Sequence, residues 1–80
     1  MTVTVRFFAS YAESLGRDAL EMTLAEGSTV GDVLGSVRGL PGADRLPPAP
    51  LVAVNYSYAQ ATMRLSEGDE VAIIPPVAGG

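Results

Sequence analysis

The apolar residues of this chain recur with two different periods, and the shorter period marks the strands. Near the start, Val3, Val5 and Phe7 alternate with Thr4 and Arg6, which is typical of a strand with one buried face. Similar alternation, or a short apolar run bounded by turn residues, predicts three further strands. They are Ala19 to Leu24, Leu51 to Val54, and Glu70 to Ile74.

The longer period marks one main helix. Between residues 30 and 37, apolar residues recur at positions i, i+3, i+4 and i+7, so one stripe of a helix faces a core. Thr29 is the predicted N-cap, and Asp32 would lie near the positive end of the helix dipole. Gly39 is expected to end this helix.

The remaining segments predict shorter elements and loops. Ser10 to Glu13 matches a capping box, and Gly16 is a natural C-terminal cap, so a short helix is expected between them. The proline-rich stretch from Leu40 to Pro50 is a loop by composition. The segment from Tyr56 to Met63 has no clear period and leaves room for a short edge strand.

The order of these elements predicts an α+β fold of the β-grasp, or ubiquitin-like, type. A mixed sheet of four to five strands would clasp the main helix, with the first and last strands parallel and adjacent in its middle. Residues 1–76 are expected to form this domain, and residues 77–80 a flexible, reactive C-terminal tail. Fold alone does not specify a function.

Composition excludes several kinds of chemistry. The 80 residues include no cysteine and no histidine, so the chain lacks thiolates and the commonest general base, and no metal site is expected. The net charge of −4 disfavours nucleic acid as a partner. The basic residues are all arginines, so no side-chain amine could accept an isopeptide bond. The apolar runs are too short to span a bilayer, and the start does not resemble a secretion signal; a cytoplasmic protein is expected.

The end of the sequence carries the candidate chemistry. Pro75 and Pro76 would stop the last strand, because neither can donate to a sheet ladder. An extended arm from Pro76 to Gly80 would reach roughly 16–18 Å. Gly79 and Gly80 have no side chains, so their backbone could enter a narrow slot and present a terminal carboxylate. The residues expected to thread into a partner are Pro75, Pro76, Val77, Ala78 and Gly79.

The chain resembles the small subunits of molybdopterin synthase, a family of ubiquitin-like sulfur carriers. The resemblance rests on Val5 to Ala9, on Ala53 to Asn55, and above all on the block from Gly68 to Gly80. Family members commonly carry an arginine before the glutamate of the first short helix, whereas Ala12 precedes Glu13 here.

The resemblance implies a carrier that is not an enzyme on its own and binds no cofactor stably. An E1-like adenylating enzyme, using ATP and Mg²⁺, would activate the carboxylate of Gly80. A persulfide donor would convert it to a thiocarboxylate. The tail would then enter a pocket of the large synthase subunit and give its sulfur to the pyranopterin precursor of the molybdenum cofactor.

The strand phases place Phe8 and Ile74 away from the core and close together near the base of the tail, so we expect them to form a partner interface. The three tyrosines are interpreted as structural or rim residues. Two alternative functions remain open. One is a sulfur carrier for thiamine, cysteine or thiolated tRNA, or a protein modifier attached through Gly80. The other is a β-grasp interaction module without a reactive tail.

Overall fold

The computed structural model describes residues 1–76 and confirms a mixed five-stranded sheet with one main helix. The elements in chain order are β1 (Thr2–Phe7), α1 (Ala9–Leu15), β2 (Ala19–Thr23), α2 (Val30–Arg38), a 3-10 helix (Ala43–Arg45), β3 (Leu51–Val54), β4 (Ser57–Tyr58) and β5 (Glu70–Ile74). β4 is the short edge strand that the sequence allowed between Tyr56 and Met63. No helix within residues 1–76 is long and apolar enough to cross a membrane.

The strands lie in the order β2-β1-β5-β3-β4. β1 and β5 run parallel, with Val5 opposite Val71, and every other neighbouring pair is antiparallel. The expected central pairing of the first and last strands is therefore confirmed. β5 is the central strand of the sheet, bordered by β1 on one side and by β3 on the other.

The core lies between one face of the sheet and α2. The alternation in the strands and the helical period in α2 both turn valines inward, so each element contributes one apolar face. The largest fully buried side chains are Phe7, Ile73, Val3, Val5, Val30, Val33, Val37 and Val71. No polar or charged side chain is buried within residues 1–76.

The start of α2 follows the prediction. Thr29 is the N-cap, and its hydroxyl oxygen accepts a hydrogen bond from the backbone N–H of Asp32 at 3.3 Å. In return, the Asp32 carboxylate accepts from the backbone N–H of Thr29 at 2.8 Å. This reciprocal capping box satisfies two backbone donors that the helix itself leaves unpaired.

The predicted capping box at Ser10 is wrong. α1 begins at Ala9, and Phe8 occupies the N-cap position without any side-chain hydrogen bond. Ser10 therefore lies inside the first turn, because the helix phase is set by the burial of Tyr11 and Leu15 against the core. Gly16 does end the helix, in a left-handed conformation with φ of +73°, as predicted.

The proline-rich segment is more ordered than its composition indicated. It contains the 3-10 helix, and Ala43 and Leu46 are buried in the core. Arg38 donates hydrogen bonds to the carbonyl oxygens of Pro47 and Pro48 at 2.6 and 2.7 Å. These contacts fix the crossing from α2 to β3.

Candidate functional site

The candidate site begins where β5 ends. Ile74 is the last residue of the strand, Pro75 is half-buried and Pro76 is exposed. The predicted reactive residue Gly80 and the predicted threading residues Val77, Ala78 and Gly79 lie outside the described residues. Their roles stay predictions.

The strand that leads to this point is held on both sides. Ile73 lies opposite Phe7 of β1, and Ile74 lies opposite Leu51 of β3. Because two ladders of backbone hydrogen bonds fix β5, the position and direction of the chain at Ile74 are set by the domain. Whatever follows Pro76 therefore starts from a rigid base.

Beside this base, the open face of the sheet carries a shallow cavity of about 300 Å³. Its lining is mostly apolar and aromatic, and comprises Phe8, Ala53, Tyr56, Tyr58, Glu70, Ala72 and Ile74. The side chain of Phe8 is 45% exposed, whereas that of Phe7, the preceding residue in the chain, is fully buried. The structure thus brings Phe8 and Ile74 to one surface, as the strand phases predicted; their role as a partner interface stays a prediction.

Two tyrosines contribute more to this surface than the sequence indicated. Tyr56 is 90% exposed and Tyr58 is 75% exposed, and both line the cavity. The sequence could not place them there, because the pairing of β3 with β4 and β5 is what brings them to the same cavity as Phe8. Tyr11, by contrast, is a buried core residue.

Charged groups border the cavity along β1 and β5. Arg6 Nε donates to Glu70 Oε2 at 3.2 Å across the parallel pair, and both side chains remain partly exposed. The turn that precedes β5 is stabilised by hydrogen bonds to Asp69. Its carboxylate accepts from the side chain of Asn55 at 3.0 Å and from the backbone N–H of Ser66 at 2.8 Å. The acidic residues here therefore have structural partners within the domain.

The charged side chains in the described part of the chain are exposed or partly exposed. Within residues 1–76, no group of three or more acidic residues lies close enough to hold a metal ion. No carboxylate or guanidinium group in that range is buried. It can present an apolar, aromatic face next to a fixed strand end.

A mixed five-stranded sheet with a parallel central pair, packed against one main helix, defines a small ubiquitin-like β-grasp protein. The family comparison makes this more specific: the chain belongs to the ThiS family, whose model matches residues 5–80.

Two curated relatives match the whole chain. The molybdopterin synthase sulfur carrier subunit of Chlamydomonas reinhardtii is 34% identical over 83 aligned residues, and both chains are fully covered. Small archaeal modifier protein 3 of Haloferax volcanii is also 34% identical, over 93 aligned residues, again with full coverage of both. The chain is thus similar both to a protein named for sulfur carriage and to a protein named as a modifier.

Solved structures agree on the fold. SAMP1 from Haloferax volcanii superposes with a TM-score of 0.88 at 28% identity, with all of both chains covered. A ubiquitin from Caldiarchaeum subterraneum superposes with a TM-score of 0.67 at 22% identity, covering 100% of this chain and 98% of that one. The second likeness concerns the fold alone.

Proposed function

We propose that this protein carries sulfur as a thiocarboxylate on the C-terminal carbonyl carbon of Gly80, and that it serves molybdopterin synthesis. The observation that carries the proposal is the anchoring of Ile74 in the central strand, directly before Pro75 and Pro76. A reactive group on a short arm needs a fixed base, because less entropy is then lost when the arm docks. Membership of the ThiS family supports the same chemistry.

Activation requires an outside enzyme. A carboxylate is a poor electrophile, so its oxygen attacks the α-phosphorus of ATP, pyrophosphate leaves, and an acyl-adenylate forms. We assign this step to an E1-like adenylating enzyme that uses ATP and Mg²⁺. The described domain has no histidine, cysteine or buried acid with which to perform it.

Sulfur then replaces AMP on the acyl carbon. The terminal sulfur of a donor persulfide attacks this carbon, and AMP departs with its electron pair. A thiol cleaves the sulfur–sulfur bond of the resulting adduct, is itself oxidised to a disulfide, and leaves the thiocarboxylate on Gly80. The tail next enters a pocket of a large synthase subunit, which supplies the catalytic side chains for transfer to the pyranopterin precursor.

The apolar cavity face is the proposed contact surface for these partners. Exposed aromatic groups are common anchors at interfaces, and Phe8 and Ile74 lie at the base of the arm. The name of the relative from Chlamydomonas, a sulfur carrier subunit of a synthase, supports a large-subunit partner. The Pro-Pro-Val-Ala-Gly-Gly ending and the length of the chain favour this pathway over thiamine synthesis.

Intact-mass spectrometry tests the chemistry. The protein is incubated with ATP, Mg²⁺, a cysteine-derived persulfide donor and the cognate adenylating enzyme, with a reaction lacking ATP as control. We expect the mass of the C-terminal peptide to rise by the difference between sulfur and oxygen, only when ATP is present. An unchanged mass in the complete reaction would contradict the proposal and favour a non-reactive interaction module.

Protein modification through Gly80 is the second candidate function. It is favoured by the 34% identity to a relative named small archaeal modifier protein 3. Tagged protein expressed in its native cell distinguishes the two functions. Isopeptide-linked conjugates on lysines of other proteins would support modification, and their absence together with recovered thiocarboxylate would support sulfur carriage alone.

A further inference from the structure

Backbone strain in this domain is concentrated at the open face. Within residues 1–76, the non-glycine residues with positive φ are Ala9 at +46°, Asn55 at +49° and Tyr56 at +72°. Tyr56 itself lines the cavity, Asn55 precedes it, and Ala9 directly follows the cavity residue Phe8. Positive φ is costly for residues with a side chain, and such positions cluster where proteins bind ligands or partners.

Tyr56 is the most unusual of the three. Val54 pairs with Ser57, so Asn55 and Tyr56 form a two-residue hairpin turn in which both residues have positive φ. Glycine is strongly preferred at the second position of such turns, and asparagine is well suited to the first. A bulky aromatic residue in the glycine position is therefore unexpected.

Folding does not account for this tyrosine. Its side chain is 90% exposed, so it contributes almost no buried surface to the domain. Asn55 has a structural reason for its conformation, since its side chain bonds to Asp69 and to the backbone of Glu70, each at 3.0 Å. Tyr56 makes no comparable side-chain hydrogen bond among the contacts of residues 1–76. The ring is thus retained at a backbone cost that a contact outside this domain would offset.

The surroundings of the ring indicate what that contact would be. The exposed faces of Tyr56 and Tyr58 can stack on a guanidinium or ammonium group. Glu70 also lines this cavity, and its carboxylate is paired with Arg6 at 3.2 Å. The chain as a whole carries a net charge of −4, which favours a basic partner surface.

We propose that Tyr56 is a specificity-determining contact residue. Together with Tyr58, it receives an arginine or lysine side chain of the enzyme that activates Gly80. This inference rests on the proposed function, because it assigns the cavity face to that enzyme. It adds a specific recognition element to a surface otherwise defined only by apolar contact.

Steady-state kinetics of ATP–pyrophosphate exchange by the cognate adenylating enzyme test the proposal, with the carrier as the varied substrate. The variants are Tyr56→Gly and Tyr56→Asn, which suit the turn but lack the ring, and Tyr56→Phe, which keeps both ring and strain. We expect the first two to raise the KM for the carrier about tenfold with little change in kcat. Tyr56→Phe should retain the wild-type KM.

Thermal unfolding of the same variants separates contact from folding. Because the turn prefers glycine, the Tm of Tyr56→Gly should be equal to or above that of the wild type.

A basic partner side chain also predicts that the wild-type KM for the carrier rises with NaCl between about 50 and 300 mM, because salt screens exposed charges. Glu70→Gln should raise the KM as well.

The opposite results overturn the inference. In the kinetics, these results are an unchanged KM in Tyr56→Gly, or a KM in Tyr56→Phe that is raised as much as in Tyr56→Gly. In the other measurements, they are a lowered Tm in Tyr56→Gly, or a wild-type KM that does not depend on salt. If the wild-type protein supports no exchange at all, the proposed function itself fails and the inference fails with it. That outcome is recognised from the wild type alone, before any variant is compared.

Discussion

The hydroxyl group of Ser14 donates a hydrogen bond to the carbonyl oxygen of Gly42, and this contact joins α1 to the loop after α2. The two segments approach so closely that a Cβ atom on Gly42 would overlap the backbone carbonyl of Ser14. Gly42 also has φ of +89°, a conformation that other residues rarely adopt. This glycine is therefore required both for its space and for its backbone angles.

Replacement of Gly42 by alanine should consequently be severe. We expect Gly42→Ala to lower the free energy of unfolding by about 2–4 kcal/mol, because both a clash and strain are introduced. Urea denaturation followed by circular dichroism measures it. Gly35→Ala is the matched control: Gly35 is exposed in α2 with open space around it, so alanine should stabilise the protein by about 0.5–1 kcal/mol. Equal effects of the two substitutions would contradict this explanation.

The capping box of α2 predicts a moderate effect. Thr29→Ala removes the oxygen that accepts from the backbone N–H of Asp32, so about 1 kcal/mol of stability should be lost. Thr29→Ser keeps that oxygen and should lose much less. Both variants can be compared by the same denaturation experiment, and a serine variant as unstable as the alanine variant would show that the methyl group matters rather than the cap.

The hydrogen bond between Asn55 and Asp69 predicts an effect of charge. In Asn55→Asp, a carboxylate replaces the amide that donates to Asp69, and two negative groups meet at about the same separation. We expect a loss of about 1–2 kcal/mol, reduced at high salt. The exchanged pair, Asn55→Asp with Asp69→Asn, restores one donor and one acceptor. It should recover most of the loss, and a loss that persists in the exchanged pair would argue against charge repulsion.

The proposed interface predicts a loss of binding without a loss of folding. Phe8→Ser should weaken binding to the large synthase subunit by about 2 kcal/mol, measured by isothermal titration calorimetry. Met63→Ser is the matched control, since Met63 is 41% exposed, close to the 45% of Phe8, and does not line the cavity. Equal weakening by both variants would argue against a localised interface.

The tail predicts a strict dependence on length. Deletion of Gly80, or addition of one residue after it, should abolish thiocarboxylate formation, because the reactive carbonyl would no longer reach the same position. The Tm should hardly change, since the buried core that the structure describes in residues 1–76 runs from Val3 to Ile73. Thr23→Ser, on the exposed edge of β2, serves as a control with normal activity. A shortened or lengthened protein that still accepts sulfur would contradict the mechanism.

The elements with a strong period were predictable from sequence. The alternation in β1 and β5, and the stripe from residue 30 to residue 37, reflect burial of one face, which local sequence records directly. The end of α1 was predictable because Gly16 adopts the left-handed conformation. Its start was not, because burial of Tyr11 and Leu15 determines the helix phase and overrides the local capping signal of Ser10.

The candidate site was only partly predictable. Phe8 and Ile74 were placed on one surface because their phase departs from that of the buried residues on each strand. The contribution of Tyr56 and Tyr58 depends on the register of β3 with β4 and β5, which is a long-range property. The strain at Tyr56 depends on the two-residue turn, and no local period in that segment indicated it.

The parallel pairing of β1 with β5 also has a consequence during synthesis. The middle of the sheet pairs β1 with β5, which is more than 60 residues later in the chain, so the sheet cannot be completed before β5 has been synthesised. We therefore expect the cavity face, which Phe8, Tyr56 and Ile74 help to line, to form only after residue 74 has been synthesised. Unfinished copies would then not compete with mature carrier for the activating enzyme.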